Sequence, residues 1–123
     1  MAETPFGVLL GDRARSDPDR PALTCDDVTR SRAELEARTN RLARAYHALG
    51  VAPGSLVTIG LPNGIGFFEA TVAAWKLGAT PQPISSRLPA AERRAIKNRV
   101  ELERLLLLWR RPGRGGGRCR RGR

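Results

Sequence analysis

Apolar positions recur at a helical interval from the start of the chain. Phe6, Leu9 and Leu10, with Arg13, follow Thr4-Pro5, which reads as a Thr N-cap with Pro at the first helical position. This helix should stop near Ser16, because Asp17-Pro18-Asp19-Arg20-Pro21 is turn chemistry. Two short runs, 22–25 and 28–30, flank Asp26-Asp27 and fit a small hairpin, although Asp-Asp is a weaker two-residue loop than Asp-Gly. Ser31-Arg32-Ala33-Glu34 has capping-box form: the Ser31 hydroxyl can accept from amide 34, and Glu34 can accept from amide 31. Leu35, Leu42, Tyr46 and Leu49 then mark one face of a helix, with Ala43 and Ala45 beside it. Gly50 stands where a left-handed C-cap residue belongs.

The period then changes. Residues 56–61, Leu-Val-Thr-Ile-Gly-Leu, form a short apolar run that reads as a buried strand. Pro62-Asn63-Gly64 breaks it, and Asn63 can cap the next helix. Ile65, Phe68, Val72 and Trp75 return at i, i+3, i+7 and i+10, a single apolar face that ends at Gly78. Residues 79–84 are a second strand, which Pro81 and Pro83 restrict to a sheet edge or end. Strand, helix and strand with short joints make a βαβ unit with parallel strands. The expected fold class is α/β: a hairpin, amphipathic helices and a parallel βαβ unit, followed by a disordered basic tail.

Charge redraws the end of the chain. Residues 1–96 hold 12 Lys/Arg against 10 Asp/Glu, a net charge of +2, whereas residues 97–123 hold 10 against 2, a net of +8. The excess belongs to a tail and not to the body. Pro89 can open a last helix running through Ile96, Val100 and Leu105 towards Trp109, so 97–111 reads as a helix. From 112 to 123 the chain is almost entirely Arg and Gly and is expected to be disordered. Arg114, Arg118, Arg120, Arg121 and Arg123 on such a chain would bind phosphate backbones weakly, without reading sequence, and with strong salt dependence. No specific nucleic-acid partner is expected, since no aromatic follows Trp109 for base stacking.

Cys25 and Cys119 are the only cysteines, and with the single His47 they cannot complete a four-ligand zinc site. Both are expected to be free thiols. Residues 1–20 lack a basic start followed by an apolar run, and the longest apolar stretch, 105–109, is far too short to span a bilayer. These features lead to an expectation of a cytoplasmic protein without a membrane span.

Four stretches carry a family resemblance. They are Asp17-Pro18-Asp19-Arg20-Pro21-Ala22-Leu23; Ser31-Arg32-Ala33-Glu34-Leu35 with Thr39-Asn40-Arg41-Leu42-Ala43; Leu49-Gly50-Val51 through Gly54 to Leu61-Pro62-Asn63; and Trp75-Lys76-Leu77-Gly78-Ala79 through Pro83-Ile84. Together, in this order, they resemble the N-terminal portion of the AMP-forming acyl-CoA synthetases of the adenylate-forming superfamily. Arg30 departs from that pattern, which carries an aromatic there. The resemblance runs from Phe6 to Ile96 and is lost from Lys97, so 1–96 is assigned to the AMP-binding synthetase domain and the Arg/Gly tail is expected to be unrelated to it.

The resemblance implies an ATP-dependent ligase that activates a fatty acid or related carboxylate as an acyl-adenylate and passes it to CoA, with ATP, Mg and CoA as partners of the intact enzyme. It also implies what should be missing. The Ser/Thr/Gly-rich phosphate loop ending in Lys, the adenine motif, the ribose Asp and the catalytic Lys of the family lie beyond residue 96. No catalytic, cofactor-binding or metal-binding residue is therefore assigned, and the chain alone is expected to be catalytically incompetent and to hold no cofactor.

Individual candidates point the same way. Lys76 reads as a solvated charge on the back of its helix in preference to a substrate contact. His47 lacks an Asp or Cys partner at catalytic spacing, and Ser85-Ser86 is not a nucleophile elbow. Phe68 and Trp75 read as core at helical spacing and not as stacking residues. Two alternatives stand beside the ligase reading: a small basic protein binding nucleic acid through its tail, and a module that pairs with a separately encoded remainder. Unpaired sheet edges would also invite association.

Overall fold

The computed structural model describes residues 4–99, 106–108 and 119–120. The first helix, α1, spans Phe6–Ser16. Its N-cap is Pro5 and no side chain caps it, so Thr4 does not play the capping part expected of it. The Val8 and Leu9 amides instead donate to the Pro5 carbonyl at 2.9 and 3.2 Å. The hairpin forms as read, with β1 (Pro21–Cys25) antiparallel to β2 (Val28–Ser31) and Cys25 opposite Val28. Asp26 makes the turn at φ 53°, a left-handed conformation that Asp tolerates because its short polar side chain can bond locally.

Helix α2 (Arg32–Ala48) begins on the complete capping box. The Glu34 amide donates to Ser31 Oγ at 3.2 Å, and the Ser31 amide donates to Glu34 Oε2 at 2.8 Å. Its end is a Schellman motif: Val51 N–H donates to the Tyr46 carbonyl and Gly50 N–H to the His47 carbonyl, both at 3.0 Å, with Gly50 at φ 93°. Helix α3 (Ile65–Lys76) ends the same way, with Ala79 bonded to Ala74, Gly78 to Trp75, and Gly78 at φ 69°. In both places glycine supplies the backbone angle and the residue after it, Val51 or Ala79, turns into the core. Asn63 does not cap α3 as expected; Gly64 is the N-cap and no side chain contributes.

Strand β3 (Leu56–Ile59) pairs in parallel with β4 (Thr80–Pro83), from Leu56↔Thr80 to Ile59↔Pro83, which completes the βαβ unit. The strand read over 56–61 thus stops two residues early. The Thr80 and Ile84 amides donate to the carbonyls of Ser55 and Ile59 at 2.8 and 3.0 Å. Pro81 and Pro83 occupy the alternate positions, where an amide would face away from β3, so neither costs the ladder a bond. The expected edge placement holds, because β4 lies at one side of a sheet ordered β4-β3-β5.

The third strand corrects the reading of the chain's end. Helix α4 covers Ala90–Arg99, but Leu106–Leu108 form β5, a strand parallel to β3, in place of a continuation of the helix expected over 97–111. A run of leucines has no period of its own to separate helix from strand. The free edge of β3 decides it, since pairing there satisfies backbone groups that would otherwise lack partners. Within 112–123 the structure describes Cys119–Arg120, a short strand β6 antiparallel to β1. The rest of the segment expected to be disordered lies outside the described residues. Cys25 is disulfide-bonded, which overturns the expectation of a free thiol there. Its Cα partner across the β1–β6 ladder is Cys119.

The core lies between α2, α3 and β3. It gathers Ala43 and Tyr46 of α2, Val57 and Ile59 of β3, Ala70, Ala73 and Ala74 of α3, and Val51 and Ala79 from the helix ends. Two helical faces differ from the sequence reading. Leu49 is 69% exposed, while Thr39 is fully buried and returns its hydroxyl to the Leu35 carbonyl at 2.8 Å. Trp75 is 38% exposed and meets Phe6 of α1 edge-on, with centroids 4.7 Å apart, while the alanines of α3 form the buried face. Small residues let α2 and α3 approach closely, and the large rings are displaced to the α1–α3 seam. No helix among the described residues is long and apolar enough to cross a membrane.

Candidate functional site

The polar groups that the fold brings together sit on the α2–α3 seam. Lys76 ends α3 with its side chain only 9% exposed, and its Nζ donates to Glu36 Oε2 and Asn40 Oδ1, both at 2.6 Å. Asn40 Nδ2 in turn donates to Glu36 Oε1 at 3.2 Å. Lys76 is therefore neither the solvated charge expected from the sequence nor a substrate contact; it ties two helices. Further along the same seam Arg38 forms an ion pair with Glu69 through Nε, and through Nη2 at 3.3 Å. The Glu69 hydrogen bond and charge hold the Arg38 guanidinium above its ordinary value. Sequence reasoning missed this network because its partners are 40 and 31 residues apart. The one local signal was Glu36 and Asn40 at i, i+4.

The other sequence candidates stay apart from one another. His47 is exposed on the last turn of α2. Ser85 Oγ accepts from the Arg87 amide at 3.3 Å in a loop, a turn-stabilising contact with no base beside it. Phe67 packs against the core and meets Phe68 edge-on at 5.7 Å. Arg120 falls in β6; Arg114, Arg118, Arg121 and Arg123 lie outside the described residues.

Among the described residues, several hollows indent the surface. One of about 300 Å³ lies where α1, the hairpin and α2 meet, between Leu10, Arg13, Pro21, Arg32 and Val72. A second, about 330 Å³, runs from Cys25, Asp26 and Val28 to the start of α3. A third, about 240 Å³, is lined by Arg30, Glu34, Ala37, Arg38 and Arg41. Thr39 and Glu36 also line the first, where the Thr39 hydroxyl donates to the backbone carbonyls of Leu35 and Glu36 and not to a side-chain base. Among the described residues no group of three His, Cys, Asp or Glu could hold a metal. The glycine cluster at 113–117 lies outside them and carries no Ser or Thr to contact phosphate. The arrangement is a scaffold with polar clamps, and no bond-making step is derived from it.

Comparison with known proteins gives these features a context. The family model described as "AMP-binding: AMP-binding enzyme" matches residues 10–117. The 2,3-dihydroxybenzoate-AMP ligase of Bacillus subtilis is 43% identical over 76 residues, covering 62% of this chain and 14% of that protein. The long-chain-fatty-acid–CoA ligase FadD13 of Mycobacterium tuberculosis is 38% identical over 89 residues, covering 71% of this chain and 18% of that protein. Among solved structures, the inhibitor-bound N-terminal domain of FACL13 from Mycobacterium tuberculosis superposes with a TM-score of 0.71 at 30% identity, over 85% of this chain and 27% of that one. The chain thus spans about a seventh to a fifth of the length of these two curated relatives.

Proposed function

The chain belongs to the AMP-binding enzyme family, and from that premise we propose that it supplies the opening scaffold of an ATP-dependent carboxylate:CoA ligase and makes no acyl-adenylate by itself. The coarser part is plain: the chain corresponds to the N-terminal portion of adenylate-forming ligases. CoA as acceptor, a fatty or related acid as substrate, and ATP with Mg are the finer part. The FadD13 match supports CoA and a fatty acid, covering 71% of this chain against 62% for the more identical aryl-acid ligase, and the family match supports ATP with Mg.

The observation that carries the scaffold reading is the use made of the charges on the α2–α3 seam. Lys76 with Glu36, and Arg38 with Glu69, are paired with one another across α2 and α3, and no hollow among the described residues gathers more than one of the four. A catalytic group needs a free or poised partner facing substrate; these groups face each other. The test is pyrophosphate release from MgATP by the pure chain, with and without CoA, across aryl, medium-chain and long-chain acids. Background rates are expected throughout. Release that depends on added carboxylate would overturn the reading, and the acid that elicits it would name the substrate class.

A further inference from the structure

The hollow between the hairpin and α2 collects three guanidinium groups. Arg30 comes from β2, and Arg38 and Arg41 stand one turn apart on α2. Glu34 is the one carboxylate in the lining, and its Oε2 already accepts from the Ser31 amide in the capping box. Arg38 is engaged by Glu69. Arg30 and Arg41 make no side-chain hydrogen bond or ion pair among the described residues, and Arg30 Nε is buried without any partner. A buried donor left unpaired costs about 1–3 kcal/mol, and more when it belongs to a charged group. Arg30 Nε itself is sealed from solvent, so an incoming acceptor would have to meet the terminal nitrogens, which also lack a partner among the described residues.

We propose that this hollow is an anion site for a phosphate or pyrophosphate group, with the terminal guanidinium nitrogens of Arg30 and Arg41 as its donors and Arg38 closing one side. The chemistry favours phosphate among anions. Guanidinium forks match its oxygens two at a time, and a phosphate offers enough acceptor oxygens to serve donors approaching from β2 and from α2 together. The volume, about 240 Å³, is below the usual range for an acyl-chain or drug-sized pocket. Glu34 does not cancel the site, because its charge is turned to the helix start, where the amides favour it. The site shares Arg38 with the α2–α3 clamps and does not depend on the ligase reading.

The test is a titration of the whole chain with inorganic phosphate, pyrophosphate and acetate at fixed ionic strength, followed by the Nε–Hε resonances of its arginines. These resonances separate the hollow from the tail arginines. The Arg30 signal should shift saturably with pyrophosphate and with phosphate, and acetate should move it only weakly. Arg30→Gln should weaken the pyrophosphate response of the Arg41 signal about tenfold, the loss of one charged hydrogen bond. Arg41→Gln, on the exposed surface of α2, should do the same to the Arg30 signal and keeps the test informative if Arg30→Gln unsettles the hairpin. Three results would each overturn the proposal: a non-saturable drift, equal response to acetate, or unchanged affinity in Arg41→Gln.

Discussion

Lys76 at the end of α3 and Glu36 in α2 meet at 2.6 Å with the lysine side chain almost wholly removed from water. Asn40 completes the arrangement by accepting from the same ammonium. The pair sits where α1 also crosses: a Cβ added at Gly7 would lie 3.0 Å from Lys76 Cα. One side chain thus fixes the angle between two helices at the point where a third leans on them. Lys76→Met keeps the stem and removes the charge, leaving Glu36 beside apolar surface. Removal of one partner of a buried pair costs about 3–5 kcal/mol. Glu36 is 25% exposed and keeps Asn40, so the lower end of that range is expected. Urea denaturation should show it, and Lys76→Met with Glu36→Leu should recover most of the loss. If the double variant is no better than the single, the seam depends on something other than this pair.

Gly7→Ala tests the same junction from α1. On helix propensity alone, the change should stabilise α1 by about 1 kcal/mol. The added carbon would press on the Lys76 backbone and on its Cγ, both at 3.0 Å. The backbone cannot swing aside as a side-chain tip can, so α1 must shift. A net loss of stability is expected, with faster amide exchange through α1 and unchanged exchange in β3. A stabilised variant would mean that α1 rides loosely on α3.

The elements fixed by local chemistry could be read from the sequence. The Ser31/Glu34 capping box, the Gly50 and Gly78 helix ends, the Asp26-Asp27 hairpin and the βαβ unit all follow from a few adjacent residues, and all are present. Faces were harder. Trp75 and Leu49 looked buried because they are large and apolar, yet Ala70, Ala73 and Ala74 occupy the interior, since close helix approach selects small residues. Leu106–Leu108 could not be told from helix without the free edge of β3. The polar clamps were not legible at all, because Lys76–Glu36 and Arg38–Glu69 join positions that only the folded chain brings together. Arg30 was visible as a departure from the family's aromatic. Its unpaired Nε was not.

The β1–β6 ladder makes a covalent prediction. Cys25 is disulfide-bonded, the chain has two cysteines, and the register sets Cys25 against Cys119. Non-reducing digestion should give one cross-linked peptide joining these two positions, which a thiol reductant separates. A closure of that length constrains the unfolded chain by about 4.7 kcal/mol in the loop-entropy model. Reduction should therefore lower the urea midpoint markedly, and Cys25→Ser should show the lower midpoint with or without reductant. Recovery of both cysteines as unlinked peptides from oxidised protein would remove the basis for β6.

Tyr46 gives the last prediction, and its sign can be worked out in full. It is the one tyrosine in the chain, it is 1% exposed, and its hydroxyl has no hydrogen-bond partner. Burial pushes the phenol above its ordinary value. Below the unfolded value of about 10, both states keep the proton and the group adds no pH dependence. Above it the unfolded chain releases the proton while the folded chain holds it, so stability falls as pH rises and is progressively lost towards the folded value. Tyr46→Phe removes both the titration and the unpaired hydroxyl. At neutral pH the variant should be as stable as the parent or more so, by about 1 kcal/mol, because an unsatisfied buried hydroxyl is lost at little change of shape. Above about pH 10 the gap should widen in the variant's favour. Every other side chain is common to both proteins, so the difference between them isolates the phenol. The absorbance titration of the folded parent should show no phenolate where free tyrosine ionises. An ordinary titration, or a Tyr46→Phe variant that weakens in parallel with the parent, would mean that the hydroxyl reaches water or a partner.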